Sequence, residues 1–336
     1  MPFLPFGHLV CRLTPMWLAI LTLIIGFIAL VWGADRFVSG AAATARNLGV
    51  SKIVIGVTAV SVGTSAPEIL VALDASLRGT PQLAIGNAIG SNTCNIGIVL
   101  GITAMMRPLP FAGTVLKGEV PWMIGATLLA LIVLLNGRLG FGDGLLLLAG
   151  LGFVMYRLAS RGRAGGELPE GIEEELAELP EMGALRSVFW LLVGLVVLLV
   201  AADKIVEAAV EVAELLHVDE FTIGLTIVAV GTSLPELAAT LAAAIKGQPD
   251  IAIGNIVGSN IINILAVMAV PALVAPSDIA PIALWRDFGM MLAMSTLLVL
   301  FAYGPGSRKL ITRFEGAVLV CAWIGYTSLL YLQRHA

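Results

Sequence analysis

The chain has 336 residues, 58% of them hydrophobic and only 12% charged, with a formal net charge of −4. Soluble domains are roughly 25% charged, so one or two water-soluble domains are excluded and no nucleic-acid partner is expected. About 20 apolar residues make one membrane-spanning helix, and ~10 such helices with short loops would use up the chain.

In chain order, residues 1–15 read as an N-terminal extension. The apolar run from Met16 to Trp32 is too long for the core of a signal peptide and lacks a small-residue cleavage site, so it reads as the first span. Expected spans are 16–33, 53–77, 82–105, 120–136, 142–159, 187–204, 221–245, 250–274, 285–303 and 314–332. Breakers separate them: Gly79-Thr80-Pro81, Gly247-Gln248-Pro249, Arg107-Pro108-Leu109-Pro110 and the segment from Pro276 to Pro281. Cys11, Cys94 and Cys321 are scattered and odd in number, which reads as small apolar fillers without a disulfide or zinc framework.

The halves match at one offset. Asp35 pairs with Asp203, Gly56 with Gly224, Glu68 with Glu236 and Asn95 with Asn263, each 168 apart. Compared without gaps, 51–101 and 219–269 share 24 identities in 51 positions, Gly, Pro, Asn and Glu among them. This is an internal duplication. Five spans per half is an odd number, so the second copy enters from the opposite side. The expected fold is an all-α polytopic membrane protein: ten transmembrane helices as two inverted-topology five-helix repeats, 16–159 and 186–336. Between them, 160–185 is an acidic linker carrying Glu167, Glu170, Glu173, Glu174, Glu175, Glu178 and Glu181, without the spaced ligands and glycine turn of an EF-hand loop. With that linker in the cytoplasm, 13 Lys and Arg lie inside and 6 outside, which puts both termini outside an inner (plasma) membrane. Asp35 and Asp203 lie near span ends and read as salt-bridging or capping groups.

The chemistry sits in Gly63-Thr64-Ser65-Ala66-Pro67-Glu68 and its copy Gly231-Thr232-Ser233-Leu234-Pro235-Glu236. A carboxylate at the centre of a bilayer costs about 2.5–3.5 kcal/mol on insertion scales, so Glu68 and Glu236 read as functional. Pro67 and Pro235 should kink their helices and free carbonyls near Val62 and Gly63, and near Gly231. Ser61, Thr64, Ser65 and Glu68 share one helical face, as do Ala229, Thr232, Ser233 and Glu236. The next span adds a stripe in each half: Asn87, Ser91 and Asn95, then Asn255, Ser259 and Asn263. Gly86 with Gly90, and Gly254 with Gly258, are small-residue pairs that allow close helix approach. Taken singly, Ser61 back-bonding its own helix or Asn87 bridging helices is the ordinary structural role. Every candidate ligand is an oxygen and no His or Cys cluster exists, which favours Ca²⁺ and Na⁺ over zinc, copper or iron. Two glutamates carry −2, which one Ca²⁺ or two Na⁺ neutralise equally, so the ions compete for one site.

These residues resemble the alpha repeats of the sodium/calcium exchanger family, within the calcium/cation antiporter superfamily. The resemblance rests on Gly-Thr-Ser-Ala/Leu-Pro-Glu followed by Gly-Asn-x-x-Gly-Ser-Asn-x-x-Asn, in both halves. It implies a compact prokaryotic-type antiporter exchanging Ca²⁺ for Na⁺ by alternating access. It further implies ligands Ser61, Thr64, Ser65, Glu68, Ser91, Asn95, Ala229 (by its carbonyl), Thr232, Ser233, Glu236, Ser259 and Asn263. The first helix of each half should slide against the core. Many relatives carry aspartate where Asn263 stands, which leaves two carboxylates in this site. Proton-coupled members usually place a glutamate just after the Gly-Asn pair. Ala88 to Ser91 and Ile256 to Ser259 contain none, which favours Na⁺ over H⁺ as counter-ion. Against this stand an H⁺/Ca²⁺ antiporter, a cation channel, and an intramembrane hydrolase using Ser65 or Ser233. The hydrolase lacks a central His or Lys to act as base, so no enzymatic activity is expected. No cofactor is expected beyond the transported ions, and a monomer suffices to build the site.

Overall fold

A computed structural model describes residues 6–48, 65–110, 113–165, 182–246, 249–303 and 310–333. The first helix, α1, runs Phe6–Asn47, beginning ahead of the first expected span. After it come α2 (Ala66–Leu77) and α3 (Pro81–Met106). A short strand β1 (Leu109–Pro110), α4 (Gly113–Leu134), β2 (Arg138–Leu139) and α5 (Phe141–Gly165) complete the first half. The second half holds α6 (Ala184–Leu216), α7 (220–232), α8 (Leu234–Lys246), α9 (249–274) and β3 (Ser277–Asp278). It ends with α10 (Ala283–Ala302), β4 (Leu310–Ile311) and α11 (Arg313–Gln333).

Local chemistry sets several of these boundaries. Gly79, at φ +82°, turns the chain between α2 and α3, and Pro81 opens α3 where no amide proton is needed. His217 closes α6 in the left-handed conformation, and Asp219 caps α7 by accepting from the Thr222 N–H at 2.8 Å. Residues 247–248 lie outside the described set.

Seven helices among the described residues are long and apolar enough to cross a membrane, and Gly118–Leu134 is a shorter apolar one. Burial sorts them. The most apolar window is 78% buried in α3 and 83% in the α9 helix, against 28% in α1 and 22% in α6. Helices α3 and α9 are therefore the centre; α11, also at 22%, lies at the periphery with α1 and α6, of which the last two pack together as a pair. The outward faces of that pair carry Trp17, Leu18, Ile25 and Ile28, then Leu185, Phe189, Val196 and Val200, all exposed. A continuous apolar face of this kind is incompatible with water, and the chain is a multi-pass membrane protein.

Glycines decide how closely the helices cross. On α1, Gly26, Gly33 and Gly40 recur every seven residues and meet Ile205, Leu198 and Leu191 in turn, so α1 and α6 run antiparallel. At the centre, a Cβ on Gly86 would lie 2.1 Å from the Phe221 carbonyl oxygen, and one on Gly224 2.2 Å from that of Leu83. One on Gly90 would lie 2.3 Å from the Leu225 carbonyl oxygen. Helices α3 and α7 thus cross backbone to backbone, as the Gly86/Gly90 pair predicts. For Gly254 the nearest described atom is Glu119 Oε2 at 3.5 Å, and Gly258 meets none within 4 Å.

The strands join the halves reciprocally. β1 pairs with β4, and β2 with β3, both antiparallel. β3 is the counterpart of β1 at the 168-residue offset. The two pairs flank opposite ends of α4, roughly 30 Å apart at 1.5 Å per residue.

Candidate cation site

The second copy of the Gly-Thr-Ser-x-Pro-Glu motif interrupts a helix at Ser233, and in the first copy a helix begins directly after Ser65. Ser65 sits at φ −95°, ψ 10°, and Ser233 at φ −83°, ψ 3°, nearly the same sparsely used conformation 168 residues apart. In the second half the interruption therefore falls at Ser233, later than the expected kink at Gly231, while Val62 and Gly63 lie outside the described residues. Pro67 and Pro235 each occupy the second position of the helix that follows, where a missing amide proton costs nothing. Glu68 and Glu236 follow in the first turns of α2 and α8, where the positive end of the helix dipole faces a carboxylate.

The two carboxylates are fully buried. They lie close enough for the charge of one to act on the other, and Cys94 lies within reach of both and beside Ser233. Cys94 is thus a neighbour of the site, where the sequence suggested only a filler. Ser259 Oγ donates to Glu236 Oε1 at 3.4 Å. Ser91 Oγ and Thr232 Oγ1 are 3.4 Å apart, and both donate to Asn87 Oδ1, at 3.4 and 3.2 Å. Asn95 Nδ2 donates to Asn260 Oδ1 at 3.1 Å, and Asn92 Nδ2 to the Asn260 carbonyl at 3.3 Å. Asn255, the counterpart of Asn87, donates to Thr240 Oγ1 at 3.0 Å and to the Glu236 carbonyl at 3.5 Å.

Asn95 and Asn263, equivalent in the duplication, each open a π-helical segment, Asn95–Leu100 and Asn263–Val267. A third, Gly224–Val228, ends just before Ala229. Such wide turns displace backbone carbonyls and are frequent at functional sites.

Of the sequence-predicted ligands, Ser61 and Thr64 lie outside the described residues. The rest are buried along α2, α3, α7, α8 and α9. Ser65 Oγ, both Glu68 oxygens, Asn95 Oδ1, Ser233 Oγ, Glu236 Oε2 and both amide atoms of Asn263 have no hydrogen-bond partner among the described residues. An orphaned buried polar atom costs about 1–3 kcal/mol, more if charged, so this concentration fits a cation held by carboxylate and neutral oxygens. No group of three or more His, Cys, Asp or Glu that could hold a metal occurs among the described residues, which sets the donor set apart from those of zinc and iron.

Sequence reasoning passed over a second pair of carboxylates at the same offset, Glu119 and Asp287. Asp287 is fully buried, accepts from Tyr326 Oη at 2.6 Å, and pairs with Arg286 at 2.7 Å. The 168-residue spacing would have found it. Asp203 bridges to Arg78, which also holds Asp74, and Asp35 lies 3.6 Å from Arg36, the salt-bridging role expected of both.

The sequence profile of the Sodium/calcium exchanger protein family matches residues 18–159 and 186–332. The chain belongs to the sodium/calcium exchanger family. It is 41% identical over 317 residues to the putative antiporter CaxA of Alkalimonas amylolytica, covering 94% of this chain and 99% of that one. It is 39% identical to the inner membrane protein YrbG of Escherichia coli, covering 94% and 98%. The solved structure of the sodium-calcium exchanger NCX_Mj superposes with a TM-score of 0.61 at 32% identity, covering 92% of this chain and 97% of that one. This exchanger-family chain is thus similar to these proteins along nearly all of its length, and it is a cation/Ca²⁺ antiporter by family.

Proposed function

We propose that the protein exchanges Ca²⁺ for Na⁺ across the membrane by alternating access, without a catalytic step or a bound cofactor. The observation that carries this reading is the pair Glu68 and Glu236: matched in the duplication, fully buried, near enough for one charge to act on the other and left with orphaned oxygens. Their −2 charge is balanced by one Ca²⁺ or two Na⁺, so occupancy by one ion excludes the other. Ser61, Thr64, Ser65, Ser91, Asn95, the Ala229 carbonyl, Thr232, Ser233, Ser259 and Asn263 complete the coordination. The reciprocal β pairs and the antiparallel α1–α6 pair support two inverted five-helix repeats, ten spans in all, with both termini outside the inner membrane.

Reconstituted vesicles loaded with Na⁺ and diluted into Na⁺-free medium should take up radiolabelled calcium, and Glu68→Gln should abolish uptake. Two buried carboxylates also carry protons readily. Uptake driven by a pH step and indifferent to Na⁺ would replace Na⁺ by H⁺ as counter-ion. Flux that follows voltage alone would mark a channel.

A further inference from the structure

We infer that Asn87 is a positioning residue for the cation site: its amide oxygen takes the protons of Ser91 and Thr232, so that both hydroxyl oxygens face the ion as acceptors. The inference rests on the proposed exchanger reading and deepens it.

A hydroxyl has one proton, and it coordinates a cation only through a lone pair. The proton must therefore go elsewhere. Besides the Ser91 hydroxyl, Thr232 reaches Asn87 Oδ1 at 3.2 Å and the carbonyl of Ala229, one turn back, at 3.4 Å; it also lies beside the Glu68 carboxylate, whose oxygens the ion itself would engage. The choice matters, because that carbonyl already accepts the Ser233 N–H at 3.1 Å. A carbonyl oxygen has two lone pairs. If Thr232 also donated there, the Ala229 carbonyl would have none left for the ion. Asn87 takes the Thr232 proton and, at 3.4 Å, that of Ser91, which frees three oxygens at once.

The duplication explains why Asn87 is able to do this. Its counterpart Asn255 is tied into its own half, with its amide nitrogen on Thr240. The position equivalent to Thr240 in the first half is Ala72, which offers no hydroxyl. Asn87 Nδ2 has no hydrogen-bond partner among the described residues, although the side chain is fully buried. Its oxygen points instead across the α3–α7 crossing into the second half. That reach depends on Gly86 and Gly224, since a Cβ on Gly224 would stand 3.0 Å from the Asn87 backbone nitrogen.

The test is a cycle read by Ca²⁺ titration calorimetry on purified protein, with vesicle exchange measured separately. Asn87→Leu keeps the shape and removes the acceptor, and it should weaken Ca²⁺ binding about tenfold. Asn87→Asp keeps an acceptor for both protons and should not weaken it. In a Ser91→Ala, Thr232→Val background, adding Asn87→Leu should change affinity less than about twofold. An equal loss from Asn87→Leu in both backgrounds overturns the inference, as does an Asp variant as weak as Leu. A purely structural role predicts a lowered Tm with affinity unmoved, which also overturns it. Wild-type protein that binds Ca²⁺ without exchanging it would sink the exchanger reading and leave the cycle standing. Wild-type protein that binds neither Na⁺ nor Ca²⁺ would sink both.

Discussion

Glu68 and Glu236 put charge where the chain has almost none, in the first turns of helices that begin directly after buried serines. Neutralising either should leave the fold intact and remove divalent binding: Glu236→Gln is expected to abolish Na⁺-driven calcium uptake while the detergent-solubilised protein keeps its Tm within a few degrees. Asn263 offers a complementary change. It is fully buried with neither amide atom partnered among the described residues. In the proposed site Asn263→Asp would supply a third carboxylate and should tighten Ca²⁺ binding about tenfold and slow turnover, by calorimetry and flux. Unchanged affinity would place Asn263 away from the ion. Most of these residues were legible, because Gly, Pro, Asn and Glu repeating in register within apolar runs have no packing explanation. What Asn87 and Cys94 touch was not legible, since each meets residues more than a hundred positions away and only the helix crossing decides which. Asp287 and Glu119 obeyed the offset but stand at the edges of their spans, where a carboxylate reads as an ordinary terminal charge.

At the scale of the element, glycine placement is the strongest determinant and was partly readable. The pair Gly86/Gly90 announced a close crossing, and the backbone of α7 fills it. Gly86→Ala has no room beside the Phe221 carbonyl and should destabilise the protein by about 1–3 kcal/mol or more, seen as a lower Tm. Gly125 is the control: nothing lies within 4 Å of its notional Cβ, and Gly125→Ala on α4 should stabilise by about 0.5–1 kcal/mol. A drop in Tm at Gly125 would contradict the packing described for α4. The π-helical turns at Asn95 and Asn263 had no signature in composition or periodicity, because one extra residue per turn is a tertiary choice. In the second half the helix break was expected at Gly231, four residues before Pro235. It falls later, at Ser233, because a proline is better placed within the first turn of a new helix than in the middle of an old one.

For the whole molecule, the duplication, the helical class and the family were readable from the sequence. The partition into a buried centre and a peripheral pair was not, since α1, α6 and α9 have similar apolar character and differ only in what they touch. Both termini are expected outside, so tags at the two ends should be reached together from the periplasmic face and neither from the cytoplasm. Helices α1 and α6 meet along a seam in which Gly26, Gly33 and Gly40 face Ile205, Leu198 and Leu191. The paired strands join the halves elsewhere. β1 with β4, and β2 with β3, fasten one half to the other at both faces, like two buckles on one strap. A body buckled above and below resists splitting down the middle, so in the proposed exchanger the path to the ions should open around its flank.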